Sequence, residues 1–351
     1  MPGLLHFALV ATALFCSAID GSAQESGDLG KLSIEELKAR IDREQRQSSD
    51  TAGGQSLVKK RLMQEAISRG GKRPIYGTDD RADWYEINDP PIKRRALATV
   101  ALFRSSSLQK SSSGVSYDLK ARSLGAIQKL CPGETFSSQL AGAFCSGILV
   151  APDTVVTAGH CIQEISRDPT RSPPLASEIR FVFGYYASRA NDPGPLSFHG
   201  RQVFQAATII DGTWEAVEAG GEDWAVVRLD RPVPHEIAEP VKLVRSSRIP
   251  DGAPVYVIGY PSGLPLKYAP NASVRTNTSR AYFIANLDTF GGNSGSGVFI
   301  HDSNELAGIL VRGEHDYFLD EDQNCYRTFV CPTTGCGGEE VTRIELVKGL
   351  R

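Results

Sequence analysis

From Ala96 onward, short β-branched or aromatic runs recur between clusters of Gly, Pro, Asn and Asp. They are Thr99–Phe103, Ser146–Val150, Thr154–Thr157, Ile179–Phe183, Ala206–Ile210, Trp224–Leu229, Val255–Ile258, Gly297–Ile300 and Leu306–Val311. Runs this short, bounded by turn residues, predict the strands of a sandwich or of barrels rather than helices. No repeat of solenoid period is present. With 34 Gly and 20 Pro against only 2 Met, the composition also favours a turn-rich all-β chain over a helical bundle. Lys plus Arg (38) nearly balance Asp plus Glu (41), so no strong net field points to nucleic acid or to an anionic membrane. The 351 residues suggest about two domains at roughly 100–200 residues each.

The first 74 residues differ from the rest. Leu4–Ala18 is an apolar run too short to span a membrane, and Gly21-Ser22-Ala23 offers a small-residue cleavage site. Residues 1–23 therefore read as a signal peptide. Bulky Phe15 before Cys16 disfavours lipid attachment there. Residues 24–74 form a probable propeptide or N-terminal extension, helical or partly disordered. Ile34, Leu37 and Ile41 recur at helical spacing behind Ser33, a second helical patch runs Leu57–Ile67, and a basic Gly-Gly-Lys-Arg-Pro stretch closes the segment at Pro74. The expected mature protein is secreted or periplasmic, with no membrane attachment after the signal is removed. Of seven cysteines, Cys16 leaves with the signal. Cys131, Cys145, Cys161, Cys325, Cys331 and Cys336 remain as an even set in an oxidising compartment. Zinc is the competing use of the last three, but no C-x-x-C pair occurs among them, and no metal site is expected.

Three segments carry chemistry when taken together. Phe144–Val150 precedes Thr157-Ala158-Gly159-His160-Cys161; Glu222-Asp223 runs into the apolar Trp224-Ala225-Val226-Val227; and Gly291-Gly292-Asn293-Ser294-Gly295-Ser296-Gly297-Val298 is glycine-rich. Each alone is weak, since most histidines are structural. Jointly they supply what acyl transfer needs. A serine hydroxyl needs a base, His suits that task near neutrality, and the His needs a carboxylate to fix its tautomer. The oxyanion needs donors, which the backbone N–H groups of Gly292 and Ser294 can supply. An α/β-hydrolase is excluded, because the order His, Asp, Ser and the segment Gly-Asn-Ser-Gly-Ser both differ from that fold's pattern.

These segments resemble the histidine, aspartate and serine motifs of the chymotrypsin-like (trypsin-like) serine peptidases, in that order. The closer likeness is to the bacterial glutamyl-endopeptidase (V8-like) branch, whose mature chain opens on a segment similar to Ile75–Arg81. The resemblance covers residues 75–351 and implies two antiparallel six-stranded β-barrels, divided near residues 235–250, with the site between them. It implies His160 as general base, Asp223 as its orienting acid and Ser294 as nucleophile; Asp211, the other candidate acid, lacks the strand motif. It also implies a Cys145–Cys161 disulfide, while Cys131, Cys325, Cys331 and Cys336 keep three possible pairings. Asn293 replaces the Asp that trypsin-type zymogens pair with a new N-terminus, so ion-pair activation of that type is not expected.

The resemblance further implies a substrate pocket at Asp288, Thr289, Leu310, Arg312 and Gly313. An Asp six residues before the nucleophile binds Arg or Lys in trypsin-like enzymes, whereas V8-like enzymes use a His where Leu310 stands. Repulsion of acidic side chains by Asp288 favours cleavage after Arg or Lys. The competing readings are that Arg312 neutralises Asp288, or that Asp288 pairs with a neighbouring loop and faces away. Glutamyl specificity and a non-catalytic binding protein on the same fold are the alternatives for function. A protease-chaperone would need a further domain after the catalytic one. Asn271 and Asn277 are formal glycosylation acceptors. The mechanism requires no cofactor, and the expected partners are protein or peptide substrates of a monomer.

Overall fold

The computed structural model describes residues 75–166, 172–244, 249–313, 316–333 and 336–350. The signal, with Cys16, and the N-terminal extension to residue 74 lie outside the described residues.

The chain enters with β1 (Ile75–Tyr76) and β2 (Ala82–Asp83), followed by a helix α1 (Pro90–Ala98). Asp89 caps α1 by accepting the Ile92 N–H, and proline at the first helical positions suits a helix start. Seven strands form the first sheet: β3 (Thr99–Arg104), β4 (Cys145–Ala151), β5 (Thr154–Thr157), β6 (Ile179–Val182), β7 (Val203–Phe204), β8 (Ala206–Trp214) and β9 (Asp223–Leu229). Their spatial order is β7-β6-β3-β4-β5-β9-β8. The second sheet contains β10 (Pro254–Gly259), β11 (Lys267–Thr276), β12 (Tyr282–Ala285), β13 (Gly297–Ile300), β14 (Leu306–Arg312) and β18 (Glu339–Arg343). Between the last two lie a hairpin, β15 (Tyr317–Asp320) with β16 (Cys325–Thr328), and the short β17 (Val330–Cys331). The second sheet runs β10-β13-β14-β18-β12-β11-β2, and β10 also pairs with β11, so that its first six strands close a barrel. The chain passes from one sheet to the other between Leu229 and Pro254.

The expected all-β, double-barrel architecture is present, with one correction. The first sheet is an open half-barrel of seven strands rather than a closed barrel of six. Its two edges are nonetheless adjacent, because Phe204 ends one edge strand and Ala206 begins the other. Gln205 makes the corner and is held by Asp230, which returns an N–H to its carbonyl. The curl is thus completed by the chain itself and not by a ladder of hydrogen bonds.

Aromatic residues fill the first core, where Phe103, Tyr185 and Phe198 meet edge to face. The second core is aliphatic, built on Val255, Val257, Leu287, Val298 and Val341. The three disulfides are Cys145–Cys161, Cys131–Cys325 and Cys331–Cys336, which resolves the pairing left open by sequence. The opening segment is anchored twice. β1 pairs in parallel with β17, and Asp83 of β2 forms a buried ion pair with Lys267 at 2.6 Å. Burial pulls Lys267 down to about 8 although Asp83 opposes this, and Gln139 and the Pro265 carbonyl accept its remaining protons.

Candidate active site

His160 sits on a 3-10 turn, Gly159–Cys161, directly after β5. Gly159 is required there, because a Cβ would lie 2.3 Å from the Thr213 carbonyl of the neighbouring strand. Asp223 opens β9 after Gly220 and Gly221, both at positive φ, and is fully buried. The buried carboxylate is satisfied by two bonds to one residue. Its Oδ1 accepts the His160 backbone N–H at 3.1 Å, and its Oδ2 lies 2.7 Å from His160 Nδ1. The backbone bond fixes the turn and the side-chain bond fixes the ring, leaving Nε2 as the nitrogen not engaged by Asp223. That Nε2 is buried and has no hydrogen-bond partner among the described residues. Asp211 takes no part: it is exposed on β8, where its carboxylate accepts the Gly212 N–H.

Ser294 shares an open cleft of about 250 Å³ with His160. Gly292 and Gly295 both adopt φ +87°, a conformation that favours glycine. At Gly295 a Cβ would stand 2.1 Å from the Ser146 carbonyl oxygen. Ser146 of β4 holds the loop from the other sheet: its N–H donates to the Ser294 carbonyl (2.8 Å) and its hydroxyl to the Gly292 carbonyl (3.0 Å). Asn293 is buried, donating to Thr289 and accepting from the Ser296 hydroxyl. The backbone N–H groups of Gly292 and Ser294 have no acceptor among the described residues.

Of the expected pocket residues, Thr289, Leu310, Arg312 and Gly313 line this cleft, but Asp288 does not. Asp288 faces the opening segment. Its Oδ1 accepts the Tyr76 N–H at 2.7 Å, and the Asp80 carboxyl is a close electrostatic neighbour. Burial pushes Asp288 up to about 7, with the Tyr76 bond opposing and the Asp80 and Asp79 charges adding. The acids that do line the cleft are Asp316 and Glu339. Asp316 Oδ2 accepts the Gly291 N–H at 2.8 Å, and burial raises its carboxyl to about 7 against the pull of that bond and of Arg81. Glu339 accepts from the Tyr76 hydroxyl at 3.2 Å. Arg312 does not neutralise Asp288. Its guanidinium binds Glu340 and the Gly221 carbonyl.

Sequence reasoning missed Ser146, Asp316 and Glu339. Ser146 falls inside a recognised strand, and only its place two sheets apart from Gly292 gives it a role. Glu339 begins Glu-Glu-Val-Thr-Arg, whose charges hide a strand that is buried along its whole length. Both glycosylation acceptors have structural partners: the amide of exposed Asn271 donates to Asp80, and that of buried Asn277 donates to the Ile249 carbonyl.

Residues 145–309 match the family model of the trypsin-like peptidase domain, a span that holds His160, Asp223 and Ser294. Among solved structures, the chain is similar to human heparin binding protein at 14% identity, covering 76% of this chain and 92% of that one with a TM-score of 0.44. It is similar to a Glu endopeptidase in complex with MPD at 15% identity, covering 76% and 94% with a TM-score of 0.44. Likeness of this degree carries no activity from those proteins to this chain.

Proposed function

We propose that this chain is a secreted serine endopeptidase that cleaves peptide bonds after Arg or Lys through an acyl-enzyme. The observation that carries the reading is the Asp223–His160 pair, with His160 and Ser294 lining one cleft and the His160 Nε2 left without a partner among the described residues. The trypsin-like domain match over the same residues supports it.

In this mechanism His160 Nε2 takes the Ser294 hydroxyl proton as Oγ attacks the scissile carbonyl carbon. The tetrahedral oxyanion is held by the N–H groups of Gly292 and Ser294. Asp223 keeps the Nδ1 proton in place and stabilises the imidazolium. The imidazolium then protonates the leaving amine as the C–N bond breaks, leaving an acyl ester on Ser294. Water, deprotonated by His160, attacks the ester and regenerates the serine. No step needs a metal or cofactor.

A basic side chain in the cleft meets Glu339 and Asp316, and an acidic one is repelled by them. In this reading Glu339 carries the discrimination, because burial raises the Asp316 carboxyl to about 7. The preference foreseen at Asp288 is thereby reassigned to Glu339. In this reading the enzyme is a monomer that acts on polypeptide substrates. Three disulfides suit an oxidising compartment, and among the described residues no helix is long and apolar enough to cross a membrane. The extension before Ile75 is a propeptide in this reading.

A panel of chromogenic peptides differing only at the residue before the cut tests it. Turnover of Arg and Lys peptides is expected. Turnover of Glu peptides alone overturns the specificity, and turnover of none overturns the activity.

A further inference from the structure

Asp223 Oδ2 has a second neighbour, a cation: Arg312 Nη1 lies 3.8 Å away, against the same oxygen that holds the His160 ring. A register shift between Leu310 and Arg312 sets this up. It leaves an extra residue in β14 and brings Arg312 opposite Glu340 of β18. All three guanidinium nitrogens are then engaged, Nε by Glu340 Oε2, Nη2 by the Gly221 carbonyl and Nη1 by Asp223. The Tyr282 ring flanks the guanidinium at 5.7 Å. Gly221 lies two residues before Asp223, so Arg312 also ties down the backbone that delivers the carboxylate.

We propose that Arg312 is a positioning residue that tunes the general base through Asp223. A guanidinium beside the carboxylate offsets part of the negative charge that stabilises the imidazolium. It therefore keeps His160 in its neutral, proton-accepting form to lower pH. Glu340 holds Arg312 and screens part of its charge, which sets the size of the effect. His160 on its turn and Arg312 from β14 face the Asp223 carboxylate, while Glu340 from β18 and Tyr282 from β12 lie against the Arg312 guanidinium. Glu222 lies beside Asp223 in sequence, its carboxylate accepting the Trp224 indole N–H. Arg312 and its partner Glu340 thus predict opposite results. Removing Arg312 favours the imidazolium, and removing the Glu340 charge disfavours it.

The inference rests on the peptidase reading, and its test keeps the two separable. Arg312→Met, Arg312→Lys and Glu340→Gln are made in the full chain, and kcat/KM is followed against pH. The His160 ring is titrated independently by NMR. Arg312→Met is expected to move the acid limb and the ring titration upward by about 0.5–1 pH unit, the range that a unit charge ~6 Å away gives after partial screening. Glu340→Gln should move both downward, and Arg312→Lys should restore most of the wild-type position. A ring titration unmoved in both Arg312→Met and Glu340→Gln, with the fold intact, overturns the role of Arg312. If Arg312→Met does not fold, a Glu340→Gln shift upward or of zero overturns it equally. Absence of hydrolysis by the wild type would instead sink the peptidase reading, while the ring titration would still judge Arg312.

Discussion

The hydroxyl of Ser146 donates to the carbonyl oxygen of Gly292 at 3.0 Å, across the seam between the two sheets. The same hydroxyl accepts the Tyr260 N–H at 3.1 Å, while the Ser146 N–H holds the Ser294 carbonyl. One buried serine of the first sheet therefore fixes the peptide units on both sides of the proposed nucleophile. That contact ties the Gly292–Ser294 loop of the second sheet to the first, beside a core cluster to which both sheets contribute.

Ser146→Ala should keep the backbone bond to Ser294 but leave the Tyr260 N–H and Gly292 carbonyl without their side-chain partner. A buried donor so stranded costs about 1–3 kcal/mol of stability. Since the Gly292 N–H, in the adjoining peptide unit, is a proposed oxyanion donor, kcat should fall by roughly 10-fold with KM little changed. Steady-state kinetics beside thermal melts check this; an unchanged kcat would show that the loop holds its shape without Ser146.

Gly295 should be far less tolerant of a methyl group than Gly133, although both have φ near +90°. At Gly295 the Cβ meets the Ser146 carbonyl oxygen at 2.1 Å, whereas at Gly133 nothing lies within 4 Å. Gly133→Ala should lose only about 1–2 kcal/mol to backbone strain. Gly295→Ala should lose that plus the clash, along with nearly all hydrolysis. Comparable melting temperatures for the two variants would contradict the packing described here.

How the chain could be read follows from where its signals lie. The nine runs fall on strands; in most of them burial follows the pattern, while Ala206–Ile210 is a half-exposed edge strand placed by pairing alone. His160, Asp223 and Ser294 were legible because each sits in a segment whose glycines or apolar strand are demanded by local geometry. The pocket was less legible, because position relative to the serine does not determine where a carboxylate points. Asp288 lies six residues before Ser294, yet the opening segment, with its Tyr76 N–H and Asp80, draws its carboxyl away. β11 was also hidden, since Pro270 and Asn271 read as turn residues, and the barrel accommodates them where the pairing with β10 shifts register.

Asp288→Asn should change stability with pH rather than specificity. Burial raises this carboxyl to about 7, so the fold retains a proton that the unfolded chain releases near pH 4. The stabilisation from that proton is complete below about pH 4 and is lost as pH climbs through 7. The Asn variant keeps an acceptor for the Tyr76 N–H without the buried charge. It should therefore melt higher than wild type at pH 8, by at most about 4 kcal/mol, with the gap narrowing toward pH 4. Melts across that range check the sign; a gap independent of pH would contradict the shift.

Glu339→Gln should reduce discrimination for Arg over a neutral side chain by about 10²-fold, the loss expected when one partner of a desolvated ion pair is removed. Asp288→Asn should leave that ratio unchanged. Ratios of kcat/KM on paired peptides distinguish the two acids, and the reverse pattern would return the specificity to Asp288.

The central claim is a serine made nucleophilic by the His160–Asp223 pair, and covalent labelling reads it most directly. The full chain, treated with a sulfonyl fluoride and examined as intact mass and as peptides, should gain one adduct, on Ser294. Ser294→Ala should gain none, and His160→Ala should label far more slowly. A natively folded wild-type protein that gains no adduct, or labels equally in Ser294→Ala, would contradict the account.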